Sequence, residues 1–428
     1  MDIRDDRNHV FNITLAKLMG LYQTLDPGSF KICRGQSVYH VVAAFIALCL
    51  CVFGILLNVS GVYYWTDNMP LSIDYHWKAF VSLYLFYQTC IVIYYSDDIW
   101  NCLSITCYGF TSNSLRDRHI LDRWREQSVL ITTILLVTNI TSLIIYFVST
   151  LALSNDMLLI KNRDGSVSSY RQNLFNLYLF APDETYNAHY YTFYLVEGSY
   201  LVSLSMALCV FDILLVTLCL AISCQMEMIC TAFESVGHKS LGGDISLVDY
   251  RDEIKETLNE QDLIYDELKT IIMDHQAVMK IYDEFLSIFE RVLLTLVIVL
   301  SIMFIVVWFC FIMSFSGDDR FRSSGIFTVK MFCAIPPYLF KLFAVCYLFG
   351  NLHDQKDSII FALYSSNWTE MDMKCKQLIL LTMKLNNANQ KKLKFTRTKI
   401  VNLEMFFKTT RDSYSILSVL INYIKNKV

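Results

Sequence analysis

Near the end of the chain, Ser415, Ser418 and Asn422 share one stripe of a helical reading of Ser413–Lys425, and Tyr414, Leu417, Leu420 and Ile421 share another. Hydroxyl and amide groups at that spacing can hydrate an ion in transit, and a ring of aliphatic side chains can close a narrow aqueous passage by dewetting it. In a packed helix the same hydroxyls would only bond backbone carbonyls, so the pattern leaves both readings open. Lys408, Arg411 and Asp412 precede this stretch. A charge at a helix centre costs roughly 2.5–3.5 kcal/mol on insertion, which places these three at the cytoplasmic boundary or against protein or water. Ser413 to Lys425 then remains for the membrane, about 18–20 Å at 1.5 Å per residue. Such a helix is short for lipid but suits the shielded centre of a bundle.

Other charges sit at membrane depth. Glu197 and Lys330 either pair with one another or snorkel outward, and Asp212 reads as a structural hydrogen-bond partner. Catalytic patterns are missing. No GxGxxG, Walker A, GxSxG or HExxH motif occurs, the histidines are scattered, and no cysteine pair has metal-ligand spacing. The cysteines, most of them in or beside apolar runs, read as small buried apolar side chains. The expectation is a non-enzyme without cofactor or metal and without a nucleic-acid partner. Of the N-x-S/T matches, Asn12 and Asn367 fall on the expected cytoplasmic side, Asn139 falls inside a span, and Asn58 lies too close to the membrane for a glycan.

The elements that must position these residues are membrane helices. Hydrophobic residues make up 54%, charged residues only 18%, and the mean hydropathy of +0.39 is too apolar for a soluble globular chain. The opening residues lack the basic, apolar and small-residue regions of a signal peptide, so the first span is expected to direct insertion. Seven spans are expected, at Val38–Val59, Lys78–Ser96, Ser128–Leu151, His189–Cys224, Phe285–Phe315, Gly325–Gly350 and Val401–Lys425. Trp65, Trp77, Tyr63, Tyr64 and Tyr190 sit at their ends, where aromatic rings favour the interface. Lys and Arg crowd alternate connections, with Arg4, Arg7, Lys17, Lys31 and Arg34 before the first span and Arg116, Arg118, Arg123 and Arg125 between the second and third. By the positive-inside rule the amino terminus is cytoplasmic and the carboxyl terminus extracellular, the reverse of a G-protein-coupled receptor.

The fold class expected is thus an all-α membrane protein with seven transmembrane helices, some extended into a cytoplasmic anchor region. Residues 1–37 form the cytoplasmic amino-terminal segment, 38–224 the first four spans, 225–284 a cytoplasmic helical extension, 285–350 spans five and six, 351–400 an anchor segment and 401–428 the last helix. In the extension, Ile254, Leu258, Ile264, Leu268, Ile271, Val278, Ile281 and Phe285 recur at helical spacing among charges. That stripe packs either within one chain or against neighbouring subunits. Gly237, Gly242 and Gly243 mark the turn before it, and "GHKS" at Gly237–Ser240 reads as part of that turn.

Three stretches resemble the insect odorant receptors. "IVNLEMFFKTTRDSYSILSVL" is similar to the family's terminal signature, in which an L-x-x-F step precedes S-Y-S heading the final helix. "SSNWTEM" resembles its tryptophan-containing segment, and "MDHQAVMKIYDEFLSIF" its His-Gln entry into the fifth span. Insect gustatory receptors share the architecture, but the Gln-Phe of their TYhhhhhQF ending is absent here. The obligate co-receptor has a longer fourth-to-fifth loop. The resemblance therefore implies a ligand-tuning subunit of a plasma-membrane cation channel, four subunits around one pore, assembled with the odorant co-receptor and placed in olfactory neurons. It implies a pore helix with Leu417 and Ile421 at the gate and Ser418 in the wall. It also implies a volatile-ligand pocket in the outer half of the spans, where apolar burial at about 25 cal/mol per Å² supplies most of the affinity. Residues on the expected inward faces are Phe80, Leu83, Tyr84 and Tyr87 of span two, Ser142, Ile145, Tyr146 and Thr150 of span three, Glu197, Tyr200, Leu201 and Met206 of span four, and Phe327, Lys330 and Met331 of span six. A homomeric gustatory-type channel and, more remotely, a G-protein-coupled receptor are the alternatives; co-receptor dependence separates the first and the side of the amino terminus the second.

Overall fold

The computed structural model describes residues 17, 25, 31–32, 36–64, 69–107, 109–112, 117–153, 157–161, 167–238, 260–314, 325–388, 391–395 and 399–425. Most of the amino-terminal tail, Trp65, Arg116, Gly242, Gly243, Ile254 and Leu258, all invoked above, lie outside these residues. Long apolar runs dictate the architecture, since a backbone in lipid must satisfy its own polar groups. The long helices are α1 (Val38–Tyr64), α2 (Met69–Tyr94), α4 (Arg118–Ala152), α6 (Tyr190–Ser235), α7 (Glu260–Met313), α8 (Gly325–Ser365) and α10 (Leu403–Lys425). Shorter ones are α3 (Ser96–Cys102), α5 (Asp183–Ala188) and α9 (Met373–Ala388). These seven long helices match the seven expected spans. Among the described residues, α1, α4, α6, α7 and α8 are long and apolar enough to cross a bilayer, and α2 qualifies together with its continuation across 96–106, bent by 72°. The final helix α10 does not qualify on hydropathy. Its polarity was the question its sequence posed.

Several helices run well beyond a bilayer. With 54 residues, α7 is about 80 Å long at 1.5 Å per residue, against a hydrocarbon core of about 30 Å. Helix α6 is buried at every position from Phe211 to Met226, as a helix apolar on all sides must be at a bundle centre. Its Asp212 pairs with Lys341 of α8 at 2.7 Å, the structural role its sequence position suggested. Helix α1 packs on α2 along a seam where Gly61 lets the Tyr75 ring lie against the α1 backbone. One turn from that contact, Asn58 is fully buried and donates to Ser82 Oγ at 3.1 Å, so it presents no site for a glycan.

Helix α8 carries Pro336 and Pro337 in its interior. A proline at 337 has no N–H for the carbonyl four residues earlier, that of Cys333. The hydroxyl of Ser142 on α4 donates to that carbonyl at 3.1 Å, restoring the lost bond from a neighbouring helix.

In the extension the amphipathic stripe is buried within the chain itself: Leu268, Ile271, Val278, Ile281 and Phe285 all enter the main core, with Ile264 packed against it. Tyr282 Oη and Lys356 Nζ both donate to the Lys391 carbonyl, at 2.8 and 2.7 Å. A bridge between Lys394 and Ile400 then turns the chain into α10. Asp372 caps α9 by accepting from the Cys375 amide at 2.8 Å, and that bond lowers the Asp372 pKa. Between α4 and α6, strands Met157–Lys161 and Val167–Arg171 pair antiparallel, and the chain after them dips into the bundle.

Candidate functional site

Residues 172–177 enter the bundle at the end where α6 begins and are held by charge. The Glu197 carboxylate on α6 accepts from the backbone N–H groups of Phe175, Asn176 and Leu177 at 2.7, 3.0 and 2.9 Å, and from Tyr186 Oη at 3.0 Å. Opposite, Lys330 Nζ on α8 donates to the carbonyls of Asn173 and Leu174, and Lys78 Nζ on α2 donates to that of Phe175 at 2.7 Å while pairing with Asp74. Tyr75 Oη donates to the Asn176 carbonyl and Tyr190 Oη to that of Gln172. Asn176 takes φ of 52°, the left-handed region that asparagine tolerates best after glycine. A carboxylate thus gathers the loop's donors and two ammonium groups gather its acceptors, which satisfies an irregular backbone inside the helix bundle. Burial, and then the nearby Glu197 carboxylate, push the Tyr186 hydroxyl well above the usual tyrosine pKa.

Glu197 and Lys330 therefore neither pair directly nor snorkel; both are buried and grip the same loop from opposite sides. Beneath the loop, Tyr146, Phe327, Lys330 and Met331 converge on a cavity of about 20 Å³, together with Asp74, Trp77, Lys78, Gln172, Leu174, Phe175 and Asn176. That volume admits about one water and no odorant. The i,i+4 spacing of Asp74 and Lys78 was the available sequence signal for the α2 residues, whereas nothing in the loop's composition marked it as a plug.

The remaining expected pocket residues scatter. Tyr84 lies in the main core, with Tyr87 half-buried against it. Leu201 packs between Tyr200 and the Tyr190–Tyr194 cluster. Thr150 is buried and donates to its own helix at Tyr146, and Ser142 serves the proline-freed carbonyl. Phe80, Leu83 and Ile145 face outward. Tyr200 and Met206 line a different cavity, of about 430 Å³, among α1, α2 and α6.

Helix α10 rests on the bundle through one face. Met405 and Phe406 pack on the core, and Ser413 and Leu417 are buried with Ile421 half-buried one turn further. At about 100° per residue the opposite face carries Lys408, Arg411, Ser415 and Asn422, flanked by Ser418 and Val419, and all six are exposed. Of the three residues expected at the pore, Ser418 is on the uncovered side, whereas Leu417 and Ile421 lie on the stripe that seats the helix.

A protein-family model described as 7tm Odorant receptor matches residues 79–414. Among solved structures, the insect olfactory receptor OR5 from Machilis hrabei, in complex with eugenol, superposes with a TM-score of 0.68 at 14% identity, covering 96% of this chain and 98% of that one. At that identity the likeness concerns the fold. A search of curated proteins found no match.

Proposed function

The chain belongs to the odorant receptor family, and from that premise we propose that it is the ligand-tuning subunit of an odorant-gated, non-selective cation channel assembled with the odorant co-receptor. The observation that carries this reading is α10, whose polar face is left uncovered opposite the face that seats it. A helix exposing Arg411, Ser415 and Asn422 to acyl chains would be costly, while the same face at the water-filled axis of an oligomer is satisfied. Ser418 and Val419 border that axis, and Leu417 and Ile421 couple the wall to α7 and α8 behind it. The distribution of Lys and Arg supports a cytoplasmic amino terminus and an extracellular carboxyl terminus, and family membership supports residence in the plasma membrane of olfactory neurons.

The outer site under residues 172–177 takes a small neutral volatile. The solved relative was captured with eugenol, which supports that ligand class. At about 20 Å³ the site is closed, so a ligand shifts the population toward a state in which the loop or its lysines have moved. Movement of Lys330 on α8 bears on α10, which packs against α7 and α8. Whole-cell recording with and without the co-receptor tests the proposal. Odorant-evoked cation current is expected only in its presence. Silence across a broad volatile panel in both settings, with the protein at the surface, rejects it.

A further inference from the structure

The cavity of about 430 Å³ among α1, α2 and α6 lies along the amino-terminal half of α1 and shares no lining residue with the loop-capped site. Small side chains create it: Ala43, Ala44 and Ala47 on α1 face Ala207 on α6. Helix α1 packs along α2 and barely meets α6, so the void is loosely walled between α1 and α6, with Leu25 also in its lining. Protein interiors pack as densely as organic crystals, and a void of this size is not left empty beside a reservoir of apolar molecules. Its lining is mostly aliphatic, but two groups in it, the Gln88 amide and the Tyr200 hydroxyl, have buried oxygen atoms with no hydrogen-bond partner. Gln88 on α2 is 4% exposed, and its amide oxygen is buried with no hydrogen-bond partner. Unpartnered buried amides are rare because the lost hydration is not recovered. The terminal torsion of glutamine is broad, so a half-turn presents either its oxygen or its nitrogen to the void.

From this we propose that the cavity is a second ligand site, for a small apolar molecule bearing one hydroxyl that reaches it through the bilayer. A hydroxyl both donates and accepts, and so pairs with whichever end of the Gln88 amide faces it. The size selects the source. At about 30 Å³ per heavy atom the void holds about 14 heavy atoms, about half those of a sterol. A medium-chain alcohol dissolved in the membrane fits; a sterol does not. The occupant bridges α1 to α6, the helix that carries Glu197 near its start, and so ties α1 to the clamp on residues 172–177. The proposal does not depend on the outer site being the one that gates.

The test uses full-length chain and co-receptor in native-like membranes with a diazirine-bearing medium-chain primary alcohol as photoprobe, followed by peptide mapping. Cross-links are expected within 43–51, 85–93 and 200–214. Unlabelled alcohol should compete with them, and Gln88→Leu should weaken that competition by about 3–10-fold, the value of one neutral hydrogen bond. The matching alkane should compete equally in both forms. Ala207→Phe, which fills the void, should abolish labelling; surface expression and elution volume report folding, and the near-isosteric Gln88→Leu carries the test should Ala207→Phe fail to fold. Labels confined to the peptides of Tyr146 and Met331, an unchanged alcohol affinity in Gln88→Leu, or competition by sterol and not by alcohol would each overturn the proposal.

Discussion

Glu197 is a fully buried carboxylate that bonds to no cation among the described residues; its partners are dipoles instead, three consecutive amide N–H groups and a phenol. Hydrogen bonds to a charged group are worth roughly 1.5–3 kcal/mol each, which explains how the charge is tolerated there. Replacing it with glutamine keeps the volume but turns an NH2 toward backbone donors. Glu197→Gln is therefore expected to cost about 3–5 kcal/mol, the range for breaking a buried charge arrangement. The readout is a lowered melting temperature in detergent by fluorescence-detected size exclusion. Lys330→Met should also destabilise, through the freed Asn173 and Leu174 carbonyls. The double variant should fall well short of the sum, because both residues hold one loop; strict additivity would show that they act apart. At this scale the sequence was half legible. Glu197 and Lys330 stood out as charges in apolar runs, but their partners are backbone groups of a loop, and backbone groups leave no trace in residue types.

At the scale of elements, α10 separates what periodicity can tell from what it cannot. Helical spacing sorts its side chains into stripes; the polar stripe of Ser415, Ser418 and Asn422 is uncovered, and so are Tyr414 and Leu420 of the other stripe, which only Leu417 and Ile421 anchor to the bundle. Which aliphatic residues accompany it depends on how α7 and α8 receive the helix, and that is tertiary information. For this reason Leu417, the natural gate candidate from sequence, is buried on the seating side together with Ser413. Single-cysteine variants distinguish the faces. In stimulated membranes Ser415→Cys and Asn422→Cys should react with a charged, water-soluble thiosulfonate and alter the evoked current, while Ser413→Cys and Leu417→Cys should react at least tenfold more slowly. Equal protection of all four would remove α10 from the water-filled path. The other helices were simpler to foresee, because α1, α4, α6, α7 and α8 each carry a run apolar enough to span. Their extensions were visible only as charges interleaved with an apolar stripe, the Leu268 to Phe285 series, which the chain buries on itself.

At the scale of the whole molecule, a single chain leaves apolar surface uncovered beyond the membrane. Helix α9 buries one face through Cys375, Ile379 and Thr382, yet Met373, Leu380, Leu381 and Leu385 on other faces are each more than half exposed. Phe361 and Tyr364 at the end of α8 are exposed as well. These residues lie past the expected bilayer boundary, so lipid does not account for them, and a cluster of large apolar groups facing water marks an association surface. On the proposed channel reading, the polar face of α10 would line an axis and the apolar face of α9 would meet a neighbouring subunit: one surface needs water and the other needs protein, and an oligomer would supply both. Leu381 and Leu385 are one helical turn apart on that face, and neither is part of the chain's own core. Leu381→Glu with Leu385→Glu should leave the subunit folded, with its melting temperature shifted by no more than a few degrees, because exposed positions contribute little to stability. Assembly should suffer instead. In mass photometry of detergent-purified protein co-expressed with the co-receptor, the hetero-oligomer population is expected to drop at least tenfold in favour of single subunits. Were the oligomer to persist at wild-type abundance, α9 would have to be covered by something other than a neighbouring subunit, and the axis itself would have to be built from the membrane helices alone.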